Sequence, residues 1–240
     1  MTNSNSIRKN IKACLFDMDG LLLNTEDIYT ITANEALKKY GKGPFTWDVK
    51  MRMQGLPGPE AGAVAVKHYD LPCTVQEYMD LNAQLQNDYW GKSAFLPGAK
   101  ELIQYLKSKN IPIALCTSSD KSKLNKKTDH LKDVFELFDV IVTGDDSRIP
   151  KGKGKPFPDV WIAGLAELNE KFNTSITSDE CLVFEDGKIG VTSGMSFGAF
   201  VIWVPHPESY GVLGDTDAFL NGKGELVKSL ELFDATQFGL

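Results

Sequence analysis

Five short apolar runs punctuate the chain, each closing on polar or glycine-rich residues: 11-IKACLF-16, 111-IPIALC-116, 138-FDVIVT-143, 181-CLVF-184 and 199-AFVIWV-204. They are four to six residues long and rich in Val, Ile and Phe. Continuous apolar runs of that length suit strands buried on both faces. Between them the period lengthens. In 98-GAKELIQYLKSKN-110, Leu102, Ile103, Tyr105 and Leu106 form a stripe after Pro97. In 159-DVWIAGLAELNEKF-172, Val160, Ile162, Ala163, Leu165 and Leu168 do the same after Pro158. A proline at the start is a helix signal. Strands alternating with helices predict an α/β fold: a Rossmann-like, mostly parallel sheet with helices on both faces.

Residues 25–94 break the alternation. They hold no strong strand, only helical patterns over 27-DIYTITANEALKKY-40, 59-PEAGAVAVKHY-69 and 75-VQEYMDLNAQLQNDYW-90. A helical segment inserted after the first strand predicts a small separate α-helical domain at 25–94. Residues 1–24 and 95–240 would then form the α/β core.

Ligands of parallel sheets bind beyond the C-terminal ends of the strands. The residues found there are polar after every run but the fifth: Asp17, Asp19 and Gly20; then Thr117, Ser118 and Ser119; then Gly144, Asp145, Asp146 and the basic loop 151-KGKGKPFPD-159; then Glu185 and Asp186. Asp17 and Asp19 leave an extended strand end on the same side. Carboxylates held that close repel unless a cation lies between them or one keeps a proton. Glu185 and Asp186 worsen the crowding. A hard divalent cation resolves it, and Mg²⁺, which takes few protein ligands together with an anionic substrate, suits such a set. Hydroxyls, backbone N–H groups and a lysine would hold phosphate oxygens, and an aspartate can attack phosphorus.

Four motifs in order, 16-FDMDGLLLNTE-26, 115-LCTSS-119, 154-GKPFPD-159 and 183-VFEDG-187, make the chain resemble the haloacid dehalogenase-like phosphatases over about 11–204. DMDGLLLNTE, WDVK, TGDD, CLVFED and the final FGL extend the resemblance to pseudouridine-5'-phosphatase-type members. The resemblance implies a Mg²⁺-dependent phosphatase of a small phosphomonoester, with 25–94 as a cap. The substrate class would be nucleoside or pseudouridine monophosphates, glycerol phosphate or sugar phosphates. It implies Asp17 as nucleophile and Mg²⁺ ligand. Asp19 would be the acid and base, with its backbone carbonyl on the metal. Thr117 and Ser118 would bind the phosphoryl group, Lys155 would neutralise charge, and Asp186 with Glu185 would complete the metal shell. The cap segment 51-MRMQGLPGPE-60 would face the site, with Arg52 or Gln54 near substrate.

The same resemblance weighs against other activities. Phosphosugar mutases of the family carry a cap histidine where this chain has Tyr29, and the dehalogenase branch lacks the second aspartate, here Asp19. Two features depart from the family. Asn24 replaces a common aspartate at the first cap helix, where asparagine also caps. The segment 188-KIGVTSGMSFGAF-200 is rich in Gly, Ser and Thr, which predicts a weak helix.

The remaining polar groups read as ordinary structure. Thr117 to Ser119 suit a helix N-cap. Asp145 and Asp146 suit a turn. Lys151 and Lys153 read as solvated. His68, His130 and His206 form no cluster, and Trp47 and Trp90 read as core.

Composition narrows the partners. The net charge is -6, no footprint for nucleic acid or an anionic membrane. Cys14, Cys73, Cys116 and Cys181 have no metal spacing, and three of them sit in apolar runs, as free thiols in a reducing compartment do. No run is long enough to span a bilayer, and MTNSNSIRKN lacks a signal peptide's apolar core. A cytoplasmic location, with the nucleus open to it, and a monomeric state are the expectations.

Overall fold

The computed structural model describes residues 10–240, apart from Gly55 and Pro57. Six parallel strands form one sheet: β1 (Ala13–Phe16), β2 (Ile113–Cys116), β3 (Val140–Val142), β4 (Cys181–Glu185), β5 (Phe200–Trp203) and β6 (Gly224–Leu226). Their order is β3-β2-β1-β4-β5-β6, every neighbouring pair parallel. The chain therefore winds outward one way from β1 and then the other. That puts a switch point between β1 and β4, where sheets of this kind bind ligands.

Among the described residues ten α-helices follow in chain order: α1 (Thr25–Lys39), α2 (Trp47–Met53), α3 (Gly58–His68), α4 (Val75–Asn87), α5 (Ala99–Ser108), α6 (Lys121–Thr128), α7 (Lys132–Phe135), α8 (Asp159–Phe172), α9 (Lys188–Phe197) and α10 (Thr216–Leu220). The central strands β1, β2 and β4 are buried on both faces, so alternate residues serve two cores. Cys14, Phe16, Ile113, Leu115, Leu182 and Phe184 pack against α5 and α7. Ala13, Leu15, Ala114, Cys116, Val183 and Val201 pack against α8 and α9. The rings of Phe16 and Phe184 stack at 4.4 Å across the switch point. All four cysteines are free, and Cys14, Cys116 and Cys181 are buried.

Helices α1 to α4 gather around an apolar cluster of their own, with Ala33, Ala36, Leu37, Phe45, Val49, Ala65, Leu71 and Tyr78. Helix α4 starts where it does because Thr74 and Glu77 form a reciprocal capping box. The two chain crossings into this region lie side by side. Leu23 bridges antiparallel to Phe95, and Asn24 N–H donates to the Ala94 carbonyl. Asn24 Oδ1 accepts from Ala94 N–H at 2.8 Å rather than capping α1. Its amide fastens the crossings together, a role the expectation of a helix cap did not foresee.

Three further expectations change. Strand β6 was not anticipated. The helix that follows β2, α6, takes Asp120 as its N-cap, accepting from Lys123 N–H, in place of Thr117 to Ser119. Trp47 is half-buried rather than core. It stacks on His206 at 4.5 Å and donates to Glu208 Oε2 at 2.7 Å, joining α2 to the turn after β5.

Candidate active site

Strand register decides what meets at the switch point. Phe16 pairs with Leu115 on one side and Phe184 on the other. One residue further on stand Asp17, Cys116 and Glu185. Lys155 touches all three. Its ammonium donates to Asp17 Oδ1 at 2.5 Å, Glu185 Oε1 at 2.7 Å and the Cys116 carbonyl at 3.0 Å, and lies 4.3 Å from the Trp161 ring centre. The side chains of Lys155, Asp17 and Glu185 are 6 %, 9 % and 3 % exposed, so these are desolvated ion pairs.

Asp186 joins Asp17 and Glu185, and one ligand oxygen from each lies within 4.8 Å of the others. Three glycines make the room. Gly20, at φ +82, passes so close that a Cβ there would overlap Asp186 Oδ2. On α9, a Cβ at Gly190 would overlap the Glu185 carboxylate, and one at Gly194 would come within 2.9 Å of Val183 and Val201. The glycine-rich composition of α9 thus allows close approach to β4 and to the acidic cluster. Ser193 contributes too: it accepts from Trp161 Nε1 at 2.8 Å and donates to the Phe157 carbonyl at 2.6 Å.

The cluster is short of positive charge, with three carboxylates facing one ammonium. Burial, opposed by Lys155 and reinforced by Glu185 and Asp19, pushes the Asp17 carboxyl up to about 7. Burial and the nearby Glu26, Glu185 and Asp17 carboxylates push Asp186 well above the carboxylate range. Hard oxygen donors carrying a surplus of two negative charges fit a divalent cation of the Mg²⁺ or Ca²⁺ kind. A raised carboxylate stabilises the fold only at low pH, and that contribution fades as pH rises through its folded value. For Asp17 the window runs from about 4 to 7. The metal-free protein is therefore expected to unfold at lower urea at pH 8 than at pH 5. Millimolar Mg²⁺ should raise the pH 8 midpoint much more than the pH 5 midpoint. Equal response at both pH values would count against a metal at these carboxylates.

The Asp19 carboxylate lies outside that trio and faces another cation. Lys127, on α6 and fully buried, donates to Asp19 Oδ1 at 2.6 Å, Ser119 Oγ at 3.0 Å and Tyr29 Oη at 3.1 Å. Its ammonium lies 4.6 Å from the Trp90 ring centre and 5.3 Å from that of Tyr29. Ser119 Oγ donates to Asp19 Oδ2 at 2.8 Å. Burial raises the Asp19 carboxyl, but the Lys127 ammonium and hydrogen bonds from Lys127, Thr25 and Ser119 outweigh it, and the net shift is downward. The two aspartates of one motif are thus pushed apart: Asp17 upward, Asp19 downward.

Thr117 is buried, and its Oγ1 accepts from Ser119 N–H at 3.0 Å, which leaves the hydroxyl proton to donate elsewhere. Ser118 is exposed beside it. Gln54 reaches in from the end of α2, donating from Nε2 to Asp186 Oδ2 at 3.1 Å. Arg52 pairs with His68 at 2.9 Å instead. Gly55 and Pro57, in the same segment, lie outside the described residues. Asp145 and Asp146 fasten the loop after β3: Asp145 accepts from Thr143 and Lys121, Asp146 from Arg148. Sequence reasoning missed Lys127, Glu26 and Lys50. Lys50 is buried and bonded to the Glu26 carboxylate at 2.8 Å, next to the acidic cluster.

The model of the haloacid dehalogenase-like hydrolases matches residues 14–204. The chain belongs to that family. A Saccharomyces cerevisiae protein named as a probable pseudouridine-5'-phosphatase is 64% identical, over 96% of this chain and 98% of its own. A Drosophila melanogaster protein of the same name is 31% identical, over 99% and 97%. Among solved structures, a HAD family hydrolase from Deinococcus radiodurans, with phosphate and sodium bound, superposes with a TM-score of 0.73. It is 24% identical, covers 95% of each chain, and is a likeness of fold. The chain is an enzyme of this hydrolase family, and among the described residues no helix is long and apolar enough to cross a membrane.

Proposed function

We propose that the protein is a Mg²⁺-dependent phosphatase of a small phosphomonoester, working through an aspartyl-phosphate on Asp17. Pseudouridine 5'-phosphate is the first substrate to try, because the two full-length relatives carry that name. Other nucleoside monophosphates, glycerol phosphate and sugar phosphates belong to the same chemical class. The observation that carries the reading is Lys155, which ties Asp17 to Glu185 beside Asp186 at the β1–β4 switch point. Asp17, Glu185 and Asp186 would hold Mg²⁺, with the main-chain carbonyl of Asp19. When bound, the metal balances the carboxylate charge and polarises a phosphoryl oxygen.

The chain's own groups would then act in two steps. Asp17 attacks phosphorus while Asp19 gives a proton to the departing oxygen. Water next attacks the aspartyl-phosphate, Asp19 takes a proton from it, and inorganic phosphate leaves. Lys155 and the Thr117 hydroxyl, with Ser118 at its side, hold the phosphoryl oxygens as charge spreads over them. The division into a core (1–24 and 95–240) and a cap (25–94) that closes over the site is part of the proposal. Its support is the separate apolar cluster of α1 to α4 and the reach of Gln54 to Asp186. Gln54, more than Arg52, is the cap residue at the reacting end.

The test is phosphate release across a panel of phosphomonoesters, with Mg²⁺ and after thorough chelation. One substrate standing about tenfold or more above the rest, silent without metal and restored by Mg²⁺ but poorly by Ca²⁺, is the expected result. Release indifferent to chelation would contradict the metal site. Isomerisation of glucose 1-phosphate without release would point to a mutase, a reading that the engaged hydroxyl of Tyr29 disfavours.

A further inference from the structure

Lys127 has no part in the four motifs, yet it is the cation nearest the group assigned to proton transfer. A lysine with no exposed side-chain surface is costly to bury, and it stays charged only where acceptors surround it. Lys127 has three, and Asp19 is the only carboxylate among them.

The two oxygens of Asp19 are held unequally. Oδ1 takes the Lys127 ammonium, a desolvated charge pair. Oδ2 takes the Ser119 hydroxyl, and the Thr25 hydroxyl bonds the carboxylate as well. For Asp19 to turn an oxygen towards a departing oxygen, one of these contacts has to loosen. Releasing Oδ1 would strand a buried ammonium without its counter-charge. Releasing Oδ2 costs far less, because it gives up a bond from a neutral hydroxyl and leaves no buried charge unpaired.

We infer that Lys127 is a positioning residue that pins Asp19 Oδ1 throughout the reaction, so that Oδ2 alone exchanges the proton with the leaving oxygen and then with water. The inference rests on the acid–base role proposed for Asp19. In the first half-reaction the bond from Asp17 to phosphorus forms, the bond to the leaving oxygen breaks, and the proton on Oδ2 passes to that oxygen. In the second, a water oxygen bonds to phosphorus, its proton returns to Oδ2, and the bond to Asp17 breaks. Lys127 keeps all its protons in both. Without the pin the carboxyl is free to rotate, and the population with Oδ2 aimed at the substrate falls.

A positioning role of this kind leaves a signature in leaving-group dependence. Alkyl leaving groups need the proton, whereas p-nitrophenolate departs without it. Single-turnover release of the leaving alcohol is compared for p-nitrophenyl phosphate and for the alkyl phosphomonoester turned over best, beginning with pseudouridine 5'-phosphate. In Lys127→Met, alkyl release should slow by about 10²-fold and aryl release by less than about threefold. Lys127→Gln keeps a donor in the pocket and guards against loss of fold; the same split should reach about tenfold. Added to Asp19→Asn, either substitution should deepen the split no further, since it acts through that side chain. Equal slowing of both substrates, no slowing, or a deeper split in the double variant would overturn the inference. A different result exposes failure of the underlying reading: Asp19→Asn alone would show no split.

Discussion

Asp17→Asn is expected to lower turnover by about 10⁴-fold or more while leaving the fold intact. The amide oxygen is a poor nucleophile towards phosphorus and forms no stable acyl phosphate. The substitution also keeps the shape of a side chain packed between Lys155 and the end of β1. Lys155 retains Glu185 and the Cys116 carbonyl, so the ammonium is not stranded. Because Asp17 carries a raised carboxyl in the metal-free protein, removing its charge should slightly stabilise that form at pH 8. The variant should therefore be at least as resistant to urea as the wild type without metal, yet dead with it. Turnover of the best substrate by a clean preparation of the variant would remove Asp17 from the nucleophile's place.

Lys155→Met should damage both stability and chemistry. It takes the Lys155 ammonium from a pocket that holds Asp17, Glu185 and Asp186, and it leaves the Cys116 carbonyl without that donor. Breaking a buried pair by removing one partner costs about 3–5 kcal/mol. Turnover should fall by about 10³-fold, the scale of losing one preorganised group that stabilises transition-state charge. The pH dependence separates this from simple loss of packing. Without Lys155 the Asp17 carboxyl loses the group that opposes its upward shift, so stability should be recovered on acidification and lost again as pH rises. Urea unfolding of the metal-free variant at pH 5 and pH 8 reads this directly. A deficit the same at both values would mean that Lys155 acts through packing against Trp161 alone.

Where the chain is apolar and regular, the fold could be read before any coordinates. Five strands and helices α5 and α8 follow from runs and stripes that nothing else in the sequence imitates. Strand β6 escaped because Gly224-Glu225-Leu226 is a short, half-buried edge strand with no apolar run. Helix α6 was signalled only by cap candidates and not by a stripe, because KSKLNKKT is polar nearly throughout. Lys127 stands among neighbouring lysines that read as a solvated face, and only tertiary packing buries it. The same holds for Lys50. Residues whose role depends on a tertiary neighbour were also illegible: Asn24 on the Ala94 backbone, and Gly190 beside the Glu185 carboxylate. By contrast, Asp17, Asp19, Thr117, Lys155, Glu185 and Asp186 could be picked out as candidates, because each ends or follows a strand or sits in a loop beyond one. The sequence could not say that Asp17 and Asp19 face different cations, which follows from register and from α6.

The most direct test of the account is to trap the covalent intermediate. Enzyme with Mg²⁺ and its best phosphomonoester would be quenched in acid on the millisecond scale and its peptides examined by mass spectrometry. The account predicts a hydroxylamine-labile phosphate on the peptide carrying Asp17, appearing before free phosphate and absent from Asp17→Asn. Phosphate released in a single turnover with no such adduct at any time, or an adduct on another residue, would contradict it.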